Sequence, residues 1–315
     1  MSDVIEIRGL WKQYEVGFWK KRKITALQPL ELTVREGEIF GYLGPNGAGK
    51  TTTLKLLMGL AFPSGGGARI LGLDHQDPAV KAQIGFLPEQ PYFYDHLSAT
   101  ELLEYFAQLS GVPAGERKRR VERMLARVGL GDAGGLQLRR FSKGMLQRVG
   151  LAQAILHDPK VVFLDEPMSG LDPIGRREVR DLVQQLKEEG RTVFFSTHIL
   201  SDAEALCDRV AILNRGRVVT VGEVADMLAK VSESVEVLWE GAAAVAGIEA
   251  LGAAVHASGE LARASVPRVK LDAAIDALRG AGARLISVTP VQATLEDYFM
   301  QQVGASEAAA AEARA

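Results

Sequence analysis

Apolar and polar residues alternate from Val4 to Arg8, and again through Leu30, Leu32 and Val34 ahead of Gly37. Period-two alternation reads as antiparallel strands with one face exposed. A short apolar run, Ile39 to Leu43, precedes a glycine-rich loop, and Leu54, Leu56, Leu57 and Met58 then follow helical spacing up to Gly59. Ala68 to Leu71 and Ile84 to Phe86 read as further short strands. Ser98-Ala-Thr-Glu101 is a capping box that opens a helix through Leu102, Leu103, Phe106 and Leu109, stopped by Gly111 and Pro113. A basic helix spans Glu116 to Val128, and another begins near Ser142, carries Leu146, Val149 and Ile155, and breaks at Pro159. Val161 to Leu164 is fully apolar, as in the centre of a parallel sheet, Thr192 to Phe195 reads as the next buried strand, and the helix between them, with Val179, Leu182, Val183 and Leu186, closes at Gly190. Val210 to Leu213, a turn at Asn214-Arg215-Gly216 and Val218 to Val221 form a closing hairpin. Strands alternating with helices predict an α/β fold around a mostly parallel sheet.

The composition shifts after Gly222. Val235, Val237 and Trp239 alternate, an alanine-rich helical stretch covers Ala242 to Leu251, and strand-like segments lie near Ala253 and Leu261. A helix from Leu271 to Leu278, a strand from Leu285 to Val288 and a last helix from Thr294 to Met300 follow. The order β-α-β-β-α-β predicts a small ferredoxin-like α+β module. We therefore expect a large domain over 1–222, an accessory α+β domain over 223–303 and an Ala/Glu-rich tail over 304–315. A chain of 315 residues is indeed too long for one ordinary core.

Charge changes the picture little: a net charge of −2 gives no global reason to expect nucleic acid. One basic aromatic run, Phe18 to Lys23, reads as a solvated hairpin tip, the commoner case, or as a lipid or phosphate contact. The single Cys207 permits no internal disulfide, no apolar run approaches the ~18 residues of a membrane span, and the opening residues lack a signal-peptide core. A cytosolic protein is expected, with any membrane association made through a partner.

The chemistry starts at the glycine-rich loop: Gly44, Pro45, Asn46, Gly47, Ala48, Gly49, Lys50, Thr51 and Thr52. Strand, glycine loop and helix N-terminus in that order make a phosphate cradle, because glycines let backbone N–H groups turn inward. Lys50 is expected on the β- and γ-phosphates, and the Thr51 hydroxyl in a Mg²⁺ shell. Asp165 and Glu166 close the strand Val161 to Leu164; Asp165 suits Mg²⁺ and Glu166 suits polarisation of an attacking water. His198 ends the next strand, whose carboxyl end faces the ligand in such sheets.

Jointly these motifs resemble the ATP-binding cassette transporter ATPases, from residue 4 to about 222. Phe141-Ser142-Lys143-Gly144-Met145, followed by Gln147 and Arg148, resembles the family signature; Ser169 to Asp172 resembles the D-loop, His198 the switch histidine and Tyr14 the adenine-stacking aromatic. The resemblance implies a P-loop NTPase with an antiparallel β subdomain and a helical subdomain. It also implies a head-to-tail homodimer with two ATP molecules between subunits, Lys50 of one facing Ser142 and Gly144 of the other. Two departures stand out. Lys143 and Met145 replace the commoner glycine and glutamine, and Lys143 either adds a cation near the phosphate or faces solvent. Glu89 occupies the Q-loop position, where an acid still binds Mg²⁺ or its water. With Leu295 to Phe299 and the extra module, these variants resemble exporter-type subunits. Those work beside a separately encoded membrane permease, which here would dock on the helical segment 95–140 and hold the ATPase at the cytoplasmic face. A soluble cassette ATPase acting on ribosomes or nucleic acid is the alternative within the family; a small-molecule P-loop kinase would leave the signature and D-loop segments without a role.

Overall fold

The computed structural model describes residues 2–17, 22–231, 234–241, 248, 249, 251, 253, 255–290, 294–300 and 302. The chain divides into two compact units, Met1–Gly222 and Glu223–Ala315.

In the first unit, β1 (Asp3–Val16) and β2 (Arg22–Arg35) pair antiparallel over 14 residues each, and β4 (Gly65–Ile70) and β5 (Leu73–Asp74) extend them in the order β2-β1-β4-β5. Both strands of the hairpin outrun the alternating stretches in the sequence. Register shifts between Ile7 and Leu10, and again between Leu10 and Lys12, change which face each residue takes, and so interrupt the period of two. Ile5, Ile7, Leu10, Leu30, Leu32 and Val34 form the buried face. Of the basic run, Phe18 to Lys21 lie outside the described residues, while Arg22 and Lys23 belong to β2.

The second sheet carries the site. It contains β3 (Ile39–Leu43), β6 (Ile84–Leu87), β7 (Val161–Asp165), β8 (Thr192–Thr197), β9 (Arg209–Asn214) and β10 (Arg217–Glu223), ordered β10-β9-β3-β8-β7-β6. From β9 to β6 every pairing is parallel. Every residue of β3, β7 and β8 is buried, including the polar Asp165, Thr192, Ser196 and Thr197 that flank the apolar runs of β7 and β8. Phe194 lies at the centre, its ring 5.7 Å from Phe40, 5.2 Å from Tyr42 and 5.6 Å from Phe163. The register sets Leu43 beside Thr197 and Asp165 beside Ser196, so the carboxyl ends of three strands meet on one edge. Arg215 and Gly216 turn between β9 and β10 with φ of 48° and 77°, the left-handed pair that a type I′ hairpin needs.

Around this sheet stand α1 (Lys50–Leu57), α2 (Pro78–Lys81), α3 (Ala99–Leu109), α4 (Ala114–Arg127), α5 (Lys143–Ile155), α6 (Pro173–Glu188) and α7 (Leu200–Leu206). The Ser98 capping box forms in full: the Glu101 carboxylate accepts from the Ser98 N–H at 2.8 Å, and the Glu101 N–H donates to Ser98 Oγ at 3.2 Å. Helices α3, α4 and α5 pack together as a helical group.

In the second unit, α8 (Val224–Val231) precedes β11 (Ser234–Glu240), β12 (Val255–Ser258), β13 (Leu261–Pro267), α9 (Leu271–Gly280) and β14 (Arg284–Pro290). Strand order is β12-β13-β11-β14 with antiparallel neighbours, the interleaving of two β-α-β crossovers that defines a ferredoxin-like sheet. Val237, Trp239, Ala262, Ala264 and Val266 meet Ala274 and Leu278 of α9 in its core. The strand expected near Ala253 starts at Val255. Of the alanine-rich stretch, 242–247 and 250 lie outside the described residues, as does 303–315; residues 248 and 249 are helical.

Candidate active site

The loop between β3 and α1 is shaped by backbone before any side chain acts. Gly47 and Gly49 hold φ of 80° and 105°, and a Cβ on Gly49 would sit 2.6 Å from the Ala26 carbonyl oxygen of β2. A larger residue therefore fits neither the conformation nor the space. Lys50 begins α1 and folds back over the loop, where its ammonium donates to the Gly44 carbonyl at 2.7 Å and the Pro45 carbonyl at 3.4 Å. The side chain is only 6% exposed, and its third neighbour is Glu166 Oε1 at 3.2 Å. That contact is ionic, because Oε1 accepts no aligned hydrogen bond.

Glu166 stands just past β7 with φ of 50°, a left-handed backbone that a non-glycine residue holds only under constraint. Ser196 of β8 supplies the constraint: its carbonyl and its Oγ lie 3.1 and 3.2 Å from the Glu166 N–H. The same Oγ donates to Asp165 Oδ1 at 2.5 Å. Burial pushes the Asp165 carboxyl up, and hydrogen bonds from the Ser196 and Thr51 hydroxyls work against that rise. The His198 Nδ1 meets Glu166 Oε2 at 2.8 Å, with the imidazole 38% exposed. One carboxylate thus has an ammonium on one oxygen and an imidazole on the other. It can take a proton from a water that reaches it, and the imidazole orients it.

A cleft of about 650 Å³ opens over this edge, lined by Asn46, Gly47, Gly49, Lys50, Thr51, Thr52, Glu89, Glu166 and His198, together with Ala26 and Ser169. The last two are not evident as contacts from sequence. Ala26 carries no chemical signal there, while Ser169 opens the D-loop motif in which only Asp172 stands out as a site residue. Tyr14 lies on β1 opposite Ile24, with Lys12 Nζ 4.9 Å above its ring, outside this lining. Asp172 is also outside it and caps α6 by accepting from the Gly175 N–H at 2.8 Å. Ser142 caps α5 through the Met145 N–H at 3.2 Å. Lys143 leans over Gly170, and Leu171 lies against Gly144, so the signature packs on its own D-loop instead of facing its own cleft.

The residues suit a nucleoside triphosphate with Mg²⁺. The glycine loop at the start of α1 and the buried Lys50 ammonium match phosphate oxygens. Thr51 and Asp165 offer hard oxygen donors side by side. Among the described residues no cluster of three His, Cys, Asp or Glu forms a metal cage, so water and phosphate oxygens would complete the shell, as Mg²⁺ prefers.

A family model described as ABC transporter matches residues 27–169. Over 316 residues the chain is 46% identical to an uncharacterized ABC transporter ATP-binding protein of Synechocystis, covering 96% of this chain and 85% of the relative. The chain belongs to the ABC transporter ATP-binding protein family. The ABC ATPase is also 37% identical over 311 residues to another such protein of Bacillus subtilis, covering 96% of this chain and 97% of that one. A fluoroquinolones export ATP-binding protein of Mycobacterium tuberculosis is 41% identical over 223 residues, covering 70% and 71%. Among solved structures, an ATP-binding subunit of an ABC transporter superposes with TM-score 0.63 at 32% identity, over 72% of this chain and 93% of that one. A dimeric ATP-binding cassette holding ADP and Pi superposes at 0.64 with 26% identity, over 70% and 98%. The ABC ATPase thus binds ATP with Mg²⁺, hydrolyses it, and works as a dimeric subunit paired with a membrane permease. A ribosome- or nucleic-acid-directed role is not favoured by these relatives.

Glu89 borders the cleft and is exposed. Its conversion to Gln should leave ATP affinity unchanged, measured by titration with a fluorescent nucleotide, because neither cradle nor Lys50 depends on it. Lost binding would contradict its place at the rim.

Proposed function

We propose that this ABC ATPase drives export, with two copies closing head to tail on two ATP molecules and turning a separate permease through each cycle. The observation that carries the reading is the Lys50–Glu166 contact, an ammonium held by three protein oxygens at the centre of the phosphate cradle. An arriving triphosphate offers stronger anionic oxygens, and Lys50 transfers to them. Glu166 is then released to take a proton from the attacking water, held at Oε2 by His198. Charge spreads over the γ-phosphoryl oxygens as the bond to the leaving group breaks, and Lys50 and the loop N–H groups face it. Thr51 and Asp165 would hold Mg²⁺, which would supply further neutralisation of phosphate charge when bound. Ser142 and Gly144 complete the site of the other copy, where a helix N-terminus with a small hydroxyl presents donors to a phosphate. Lys143 and Met145 flank them, Tyr14 stacks on adenine, and Asp172 lies across the dimer seam.

Export is supported by the relative named for fluoroquinolone export. Among the described residues no helix is long and apolar enough to cross a membrane. In this reading the permease holds the ATPase at the cytoplasmic face. A groove of about 610 Å³ offers the seat. Leu60, Phe86, Pro88, Tyr92, Phe106 and Leu109 line it, with Tyr92 91% exposed. An amphipathic permease helix fits such an apolar trough. Leu109→Glu should abolish co-purification of the membrane subunit and leave ATP binding by the isolated protein unchanged. Co-purification at the parent level would remove the groove from consideration. The ferredoxin-like unit stabilises or regulates the dimer; truncation at Gly222 with dimerisation and turnover intact would exclude both roles.

A further inference from the structure

Outside the cleft, two side chains of opposite charge, the buried Asp202 and the half-buried Arg176, each carry a buried polar atom without a hydrogen-bond partner. Asp202 sits in the first turn of α7, one turn beyond His198, and is 3% exposed; its Oδ2 accepts no hydrogen bond. Arg176 sits in the first turn of α6, just after Asp172, and its buried Nε donates none. The two helices pack on one another. Arg176 heads the opposite charges that Asp202 faces, followed by Arg180 of the same helix, and Glu166 and His198 face it from the site. Burial raises the Asp202 carboxyl, and the two guanidiniums oppose that rise.

Leaving a buried donor and a buried acceptor unpaired is more unfavourable than pairing them is favourable, and native proteins rarely do so. A second arrangement of the same two helices, in which the groups meet, resolves the deficit. Both helices grow directly from site loops. The N-cap of α6 is Asp172, at the end of the Ser169–Asp172 segment, whose Ser169 lines the cleft. The N-cap of α7 is Ile199, whose side chain makes no cap bond. Its N–H donates to Thr197 Oγ1 at 3.0 Å, which ties the turn carrying His198 back to β8 and not to α6.

We propose that Asp202 is a positioning residue for hydrolysis: in the ATP-loaded subunit it accepts the Arg176 Nε–H, which ties the turn after His198 to the helix after the Ser169–Asp172 loop. The bond holds the imidazole against Glu166 when the second copy presses on that loop. The inference rests on the reading of Glu166 and His198 as the hydrolytic pair. Neither Asp202 nor Arg176 lines the cleft, so ATP binding does not depend on them.

Steady-state ATPase assays on the full chain test it with Asp202→Asn, Asp202→Glu, Arg176→Gln and the Asp202→Asn/Arg176→Gln double variant. Each amide variant should lower kcat about tenfold, the scale of one charge-assisted hydrogen bond, with KM for ATP and melting temperature unchanged. The double variant should fall no further than either single one, because removing the charge on either side already weakens the same charge-assisted bond. Asp202→Glu should recover most of kcat. Parent-level kcat in Asp202→Asn, additive losses in the double variant, or a kcat loss matched by a fall in melting temperature would each overturn the assignment. If Glu166→Gln loses turnover while Asp202→Asn keeps it, only this inference falls. If Glu166→Gln keeps turnover, the base assignment itself falls.

Discussion

Glu166→Gln is expected to keep ATP binding and to lose turnover by ~10²–10⁴-fold, the contribution of one positioned base. The substitution preserves shape, and the amide oxygen can still accept from His198 where Oε2 sits at 2.8 Å. It cannot take a proton from water. It also removes the negative charge now 3.2 Å from Lys50, which frees the ammonium for phosphate. Affinity for ATP should therefore hold or rise while phosphate release collapses. Single-turnover phosphate release at saturating ATP separates the two effects. A parent-like release rate would remove Glu166 from the chemistry.

Lys50→Ala should act at the opposite step. Truncating one partner of a buried charge pair costs ~2–5 kcal/mol, or ~30- to 5,000-fold in Kd when the lost partner served the ligand. Equilibrium titration with ATP reads this directly. A second readout comes from the nucleotide-free protein. Without Lys50, Glu166 stays 6% exposed beside His198 alone, and an uncompensated buried carboxylate lowers the melting temperature. ATP affinity at the parent level would show that the ammonium does not serve phosphate.

Much of this site can be read in the chain because its parts are local. A glycine loop between an apolar strand and a helix, and an acidic pair after four β-formers, carry their geometry in their order. Caps are equally legible, since Ser98 and Ser142 act on residues three positions on. What cannot be read is contact at long range. Nothing in the sequence places Lys50 beside Glu166, Ser196 beneath Asp165, or Ala26 against Gly49; strand register does that. Asp202 gives no signal because one of two acids, with Glu204, in a short helix reads as solvated, and only its burial reveals it. The long hairpin β1–β2 reads short because its bulges scramble the alternation on which strand reading depends. Asp172 matches the D-loop motif, but the bond that the structure gives it is a helix cap. The α2 helix escapes a sequence reading because its one turn is too short for a 3.6-residue period to repeat, although Asp77 caps it by accepting from the Ala79 N–H at 2.8 Å.

The cleft of one chain contains no signature residue, whereas Ser142 and Gly144 pack beside their own D-loop. A complete site thus calls for a second copy. Sedimentation velocity of the Glu166→Gln protein, with and without millimolar MgATP, tests this most directly. ATP should convert a single-chain species into a stable two-chain species, and adding Ser142→Arg should prevent the conversion without preventing ATP binding. A protein that binds ATP fully and still sediments as one chain would contradict a shared site.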